Sequence, residues 1–159
     1  MDDLLKLLRA NALESPDNLA KMLDQDVAEV KRRIAEYEKA GVIRGYQAII
    51  NEDRLELDSV KAIIEVKVTP EREGGFDRIA ARLGRFQEVQ SLLLVSGAYD
   101  LLLVVTGRNL REVAFFVSEK LATIEGVTST ATHFLLKTYK DQGVLMEVQK
   151  SHERLKVSP

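Results

Sequence analysis

Few residues in this chain carry the means for chemistry. The two histidines, His133 and His152, have no second ligand at metal-binding spacing, and the absence of cysteine removes both a zinc cluster and a thiolate nucleophile. No glycine-rich phosphate loop and no Gly-x-Ser-x-Gly elbow occurs. Acid pairs such as Glu36 with Glu38, or Glu71 with Glu73, read as solvated faces in a chain that is 30% charged. No catalytic residue, metal or cofactor is therefore assigned, and an enzyme would need a nucleophile with a base beside it that the sequence does not display. What remains is a run of three cations, Lys31, Arg32 and Arg33, inside a helical pattern. Such groups suit phosphate oxygens, although the same run is common on helices that do nothing but pack.

The elements that must position this run are legible around it. Leu4, Leu5, Leu7 and Leu8 mark a short amphipathic helix that stops at Asn11. Ser15-Pro16-Asp17 has the residues of a helix start, and Asp26 with Glu29 forms a capping-box-like start for a third helix with a stripe of Val27, Val30, Ile34 and Tyr37. A short helix, a tight turn and a longer helix have the shape of a helix-turn-helix, whose second helix lies in the major groove. Gly41 suits a helix end, and Val42 to Ile50 predicts two short strands turning at Gly45 as a wing. The alternative at this level is a small three-helix packing module.

From Asn51 to Ser59 polar residues predict a linker, and from Val60 the apolar period changes to two. Strand Val60 to Val68, a helix around Phe76 to Phe86, strands Val89 to Val95 and Tyr99 to Thr106, a helix capped by Asn109, and strand Val127 to Tyr139 give the order βαββαβ. That order fits a ferredoxin-like α+β sandwich with helices on one sheet face. Leucine and valine on both faces of the central strands imply that the other face is covered by a second subunit, so a dimer at minimum is expected. Val144 to Val148 would add a further strand. The sequence offers no signal peptide and no apolar run of ~20 residues, so a cytoplasmic protein without membrane insertion is expected. With 23 basic and 25 acidic residues, bulk charge does not attract nucleic acid, and any such binding depends on a local patch.

Leu19-Ala20 through Glu38-Lys39-Ala40-Gly41-Val42-Ile43-Arg44-Gly45-Tyr46, then Ser96-Gly97-Ala98-Tyr99-Asp100 and Gly126-Val127-Thr128-Ser129-Thr130-Ala131-Thr132, resemble the Lrp/AsnC family of transcriptional regulators in consistent order over residues 2 to about 140. The resemblance implies a winged helix-turn-helix DNA-binding domain at 1–50, a linker at 51–59 and an effector-binding, oligomerising domain of the RAM type at 60–159. It implies duplex DNA as partner, contacted from Gln25, Ala28, Glu29, Lys31, Arg32 and Arg33. It also implies homodimers that assemble further into octamers, and a small effector, usually an amino acid, in clefts between dimers. Carried over, the effector pocket is Gly97, Ala98, Tyr99, Asp100, Thr130 and Thr132. Backbone N–H groups near Gly97 suit a carboxylate, Asp100 an ammonium, and the threonines a polar shell. The competing roles are structural: Gly97 makes the hairpin and Asp100 satisfies its backbone.

One departure bears on DNA binding. Where the family has Gly, a hydrophobic residue, Ser and Pro before the recognition helix, this chain has Asp24-Gln25-Asp26-Val27, and residues 1–50 hold eight basic against nine acidic side chains. Two expectations follow: a sequence-specific regulator that binds through several linked copies, or a ligand-binding and assembly protein whose DNA binding is weak or lost.

Overall fold

Asp2 accepts the Leu4 N–H at 2.9 Å and so starts α1 (Asp3–Ala10), whose Leu4 and Leu8 turn inward one helical turn apart. Ser15 caps α2 (Pro16–Leu23) by accepting from the Asn18 N–H, and Asp26 caps α3 (Val27–Lys39) by accepting from the Ala28 N–H at 2.7 Å. The buried core of these helices is Leu4, Leu8, Leu19, Ala20 and Val30, with Leu23, Val27, Ile34 and Tyr37 packed around it. This computed structural model describes residues 1–55, 57–69 and 75–147, and the chain divides into two units, Met1–Ile50 and Asn51–Pro159.

In the second unit β1 (Val60–Val68), β2 (Val89–Leu94), β3 (Leu101–Gly107) and β4 (Val127–Phe134) form one antiparallel sheet in the order β2-β3-β1-β4. With α4 (Asp77–Leu83) after β1 and α5 (Leu110–Phe115) after β3, this is the expected ferredoxin-like arrangement. Ala62, Ile64 and Val66 stand opposite Val105, Leu103 and Leu101, and this face packs against Ile79, Leu83, Val113, Phe116 and Leu121. Phe86 and Phe116 meet edge to face, with ring centroids 5.5 Å apart. Gly126 adopts φ +92°, and a Cβ there would come within 2.8 Å of the Ile79 side chain, so any other residue would strain the turn into β4. The register places Ile63, Leu93, Leu102 and Val104 on the sheet face away from the helices, together with Glu65 and His133.

Several expectations need correction. Residues 44–50 carry no strand, so the hairpin wing is not formed within this unit. The Val42 and Ile43 N–H groups both reach the Tyr37 carbonyl, at 2.9 and 3.1 Å, which removes donors the first arm would need, and a lone two-stranded ribbon is marginal in water. The polar stretch placed as a linker begins with a 3-10 turn at Glu52–Arg54, and Asn51 donates to the Met146 carbonyl, so it starts as part of the second unit. The helix capped by Asn109 changes to a π-helical segment at Phe116–Leu121, which keeps both Phe116 and Leu121 in the core. The last sheet strand ends at Phe134 instead of Tyr139. The strand expected at Val144 to Val148 is reduced to β6 (Val144–Leu145), paired with β5 (Lys140–Asp141) across a turn in which Gln142 and Gly143 both have positive φ. Val148, His152 and the acids Glu71 and Glu73 lie outside the described residues.

Candidate functional site

The α2–α3 turn is made by Asp24, which takes the left-handed conformation at φ 52°, ψ 50° and donates its N–H to the Ala20 and Lys21 carbonyls. A short Asx side chain tolerates this conformation better than most, so Asp24 makes the turn without a glycine. The inward stripe Val27, Val30 and Ile34 leaves Gln25, Ala28, Lys31 and Arg32 exposed and Glu29 and Arg33 half-buried. The six residues expected at DNA thus lie along the turn and the first two turns of one helix.

Their charges are already partnered in unequal ways. Arg32 donates to both carboxylate oxygens of Glu29, at 2.9 and 2.6 Å, and to Glu36 on the next turn. The Glu29 and Glu36 carboxylates hold the Arg32 guanidinium further above its ordinary range, and the hydrogen bond from Arg32 holds Glu29 below the usual carboxylate range. All three side chains are largely solvent-accessible, so this fork is weak and exchangeable. Arg33 turns inward to Asp2 and Gln25 and is not presented as a phosphate contact. Lys31 has no ion-pair partner among the described residues. The Glu29-x-x-Arg32-x-x-x-Glu36 spacing signals the fork in the sequence. Nothing local signals Asp2 with Arg33, which are 31 residues apart. Tyr46, beyond the helix, donates its hydroxyl hydrogen to Glu38 at 3.0 Å, and burial followed by that carboxylate pushes its phenol up.

In the second unit the loop between β2 and β3 is organised by Asp100. Its Oδ2 accepts the Val68 N–H at 2.9 Å, its own N–H donates to the Val66 carbonyl at 3.0 Å, and its carbonyl accepts from Val95 at 2.9 Å. The structural role of Asp100 is thus present whatever else the carboxylate does. Gly97 and Ala98 are exposed and Tyr99 is half-buried; at Gly97 φ is +155° and the space where a Cβ would stand is open. Thr130 pairs with Val66 and Thr132 with Ile64, so both threonines stand half-buried on the helix-bearing face of the sheet. β1 lies between β4, which carries the threonines, and β3, which follows the Gly97 to Asp100 loop. A shallow groove forms elsewhere, where Leu57 to Val60 pass Arg108 to Arg111. His133 Nε2 lies 3.4 Å from Glu65 Oε1 on the opposite sheet face. Among the described residues no group of acids and histidines could hold a metal, and no helix is long and apolar enough to cross a membrane.

Residues 61–145 match the family model described as the Lrp/AsnC ligand binding domain. An HTH-type transcriptional regulator of Bacillus subtilis (strain 168) is 44% identical over 158 residues, spanning 99% of this chain and 95% of that protein. The leucine-responsive regulatory protein of Rhizobium meliloti (strain 1021) is 34% identical over 110 residues, 69% of this chain and 70% of its own. Among solved structures, a transcriptional regulator of Neisseria meningitidis in complex with L-Met superposes with a TM-score of 0.69 at 24% identity, covering 89% of this chain and 93% of that one. AsnC of E. coli does so with a TM-score of 0.64 at 22% identity, covering 87% and 93%. At these identities the structures establish a shared fold.

Proposed function

Because this chain belongs to the Lrp/AsnC family of transcriptional regulators, we propose that it controls transcription in the cytoplasm by binding duplex DNA as a homo-oligomer, with a small effector such as an amino acid altering its affinity or assembly. The observation that carries this reading is the α2–α3 geometry: a left-handed turn at Asp24 and an Asp26 cap lead into a helix whose outer face presents Gln25, Ala28, Lys31 and Arg32. That is the shape of a helix that enters a major groove by its N-terminal half. Lys31 supplies a free ammonium for a phosphate, and Arg32 a second cation once it exchanges its carboxylates. The apolar sheet face of Ile63, Leu93, Leu102 and Val104 supports pairing with a second copy, and octamers follow if dimers associate in turn. An effector cleft at Gly97 to Asp100 with Thr130 and Thr132 would be closed by that second level of assembly, a reading supported by β1 lying between the two groups.

The test is fluorescence anisotropy with a duplex from the region upstream of the protein's own coding sequence. Changing Lys31 and Arg32 together to Ala is expected to lower both affinity and the dependence on salt, because each lost phosphate contact releases fewer counterions. Unchanged affinity and salt slope would overturn the interface. The engagement of Arg32 by two glutamates favours one second reading, a ligand-binding and assembly protein with weak DNA binding. Light scattering with and without the twenty amino acids separates the two when set beside the anisotropy: assembly that responds to a ligand without any duplex binding would select the second.

A further inference from the structure

Arg33 sits where three elements of the N-terminal unit meet. Its Nη2 donates to both oxygens of Asp2, at 2.7 and 2.6 Å, and its Nη1 donates to Gln25 Oε1 at 2.6 Å. Asp2 is the cap of α1, Gln25 lies in the α2–α3 turn, and Arg33 itself belongs to α3. The Arg33 side chain is only 18% exposed, so this is an internal bridge and not a cation held out to solvent. Tyr37, one turn further along α3, and Asp2 both raise the guanidinium above its ordinary range, against the cost of desolvation.

The chemistry of the bridge fixes the orientation of the glutamine. A guanidinium carries donors and no acceptor, so the Gln25 atom that faces Arg33 has to be the amide oxygen. The amide nitrogen is left as the free end of an exposed side chain beside Asp26, the cap of α3, with no partner among the described residues. A glutamine free to turn contacts adenine with both ends, accepting from N6 and donating to N7. One whose oxygen is held against Arg33 turns its amide hydrogens outward and keeps only one lone pair, on the Arg33 side.

We infer that Arg33 is a positioning residue that orients Gln25 with its amide hydrogens outward, as a donor to one base pair at the entry end of α3. Such a reader favours guanine O6 and N7 or thymine O4 over cytosine, whose major-groove group is itself a donor, and its inward-turned oxygen weakens the second hydrogen bond that makes glutamine prefer adenine. This assignment rests on the proposed docking of α3 in the major groove, and assigns Arg33 to orienting Gln25 instead of to phosphate.

The experiment is selection from a randomised duplex library with the full chain and two variants at one salt concentration. The parent protein is expected to enrich guanine or thymine at one position of each half-site. Gln25→Glu keeps an acceptor for Arg33 but has no donor, and converts that position to cytosine, with about a tenfold change in discrimination there and the rest of the motif intact. Arg33→Lys keeps a cation near Asp2 but lacks the planar fork that holds Asp2 and Gln25 together, so adenine is admitted at the same position. A purely architectural Arg33 would instead lower the melting temperature and weaken all duplexes alike. A motif that Gln25→Glu leaves unaltered overturns the reading of Gln25, and one that Arg33→Lys leaves unaltered overturns the positioning role. A parent protein that enriches no motif overturns the groove docking itself, and with it this assignment.

Discussion

The N-terminal unit gathers its candidate residues on one helix and the turn before it, whereas the C-terminal unit distributes its own across the sheet. From Gln25 in the turn to Arg33 on α3 the groups succeed one another along the chain, and the ion pairs of Arg32 connect residues three and four positions apart. In the second unit Asp100 anchors the loop before β3, Thr130 and Thr132 stand on β4, and β1 lies between. Adjacent strands run about 4.8 Å apart, so Leu101 and Thr130, each opposite Val66, are separated by roughly 10 Å. A helix can present a binding face by itself. A pocket built from two strands that are not neighbours needs another surface to close it, and a second copy of the chain supplies one.

The largest effect should come from opening a cavity in the core of one unit. Leu19 is fully buried in the small helical core, and Leu19→Ala should cost about 2–5 kcal/mol of that unit's stability through lost burial and the cavity left behind. Calorimetry is expected to show one transition move far down while the transition of the sheet unit stays in place. A common shift of both would mean that the chain melts as a single body. Next in size is Asp100→Ala, which leaves the Val68 N–H without its partner and should cost the second unit about 1–3 kcal/mol. Asp100→Asn retains an acceptor and most of that stability, so thermal shift with amino acids separates the structural role of Asp100 from ammonium binding. If Asn and Ala melt alike, the Val68 contact contributes nothing.

How much of this was legible in the sequence follows from how far apart the partners are. The strand Val60–Val68 shows as a period of two, and the caps Ser15, Asp26 and Asn109 show as single residues because each bonds within three positions of itself. The Arg32 fork was readable by the same local rule. The hairpin wing is absent although the β-branched pairs Val42-Ile43 and Ile49-Ile50 signal strand propensity, because propensity specifies no partner and within this unit the donors of Val42 and Ile43 go to Tyr37. The Asp2–Arg33 bridge and the Asp100–Val68 bond were invisible, since each links residues about thirty positions apart that only the tertiary fold brings together. The two most consequential facts about the site, that Arg33 is engaged inward and that Asp100 is already bonded, therefore came from the structure.

Smaller effects sharpen the contrast between exposed and half-buried charge. Lys31→Ala should flatten the salt dependence of duplex binding by about one contact's share, a slope change near 0.9 in logarithmic units. Glu36→Gln should act in the other direction, raising duplex affinity several-fold by releasing one arm of Arg32 and removing a charge that repels phosphate. Anisotropy titrations over a range of salt measure both. A Glu36→Gln protein that binds no better would show that the fork does not restrain Arg32.

The smallest effect is a pH dependence, and it should differ between the units. Hydrogen bonding to Lys120 holds the Glu88 carboxyl below its ordinary value of 4.5, and the pair is partly shielded, with Lys120 also lying 5.8 Å from the Phe86 ring centroid. A carboxyl depressed in the folded state contributes stability that is fully present above the unfolded value and is lost as pH falls through the folded one. The melting temperature of the sheet unit should therefore decline as pH drops below about 4.5, and Glu88→Gln should remove part of that decline. Glu29 is depressed in the same direction by Arg32, but its fork lies open to solvent, so salt should erase its contribution while leaving more of the Glu88 contribution intact. Melting curves at low pH with and without added salt decide it: equal salt sensitivity in both units would mean that the shielding around Lys120 and Phe86 has no energetic consequence.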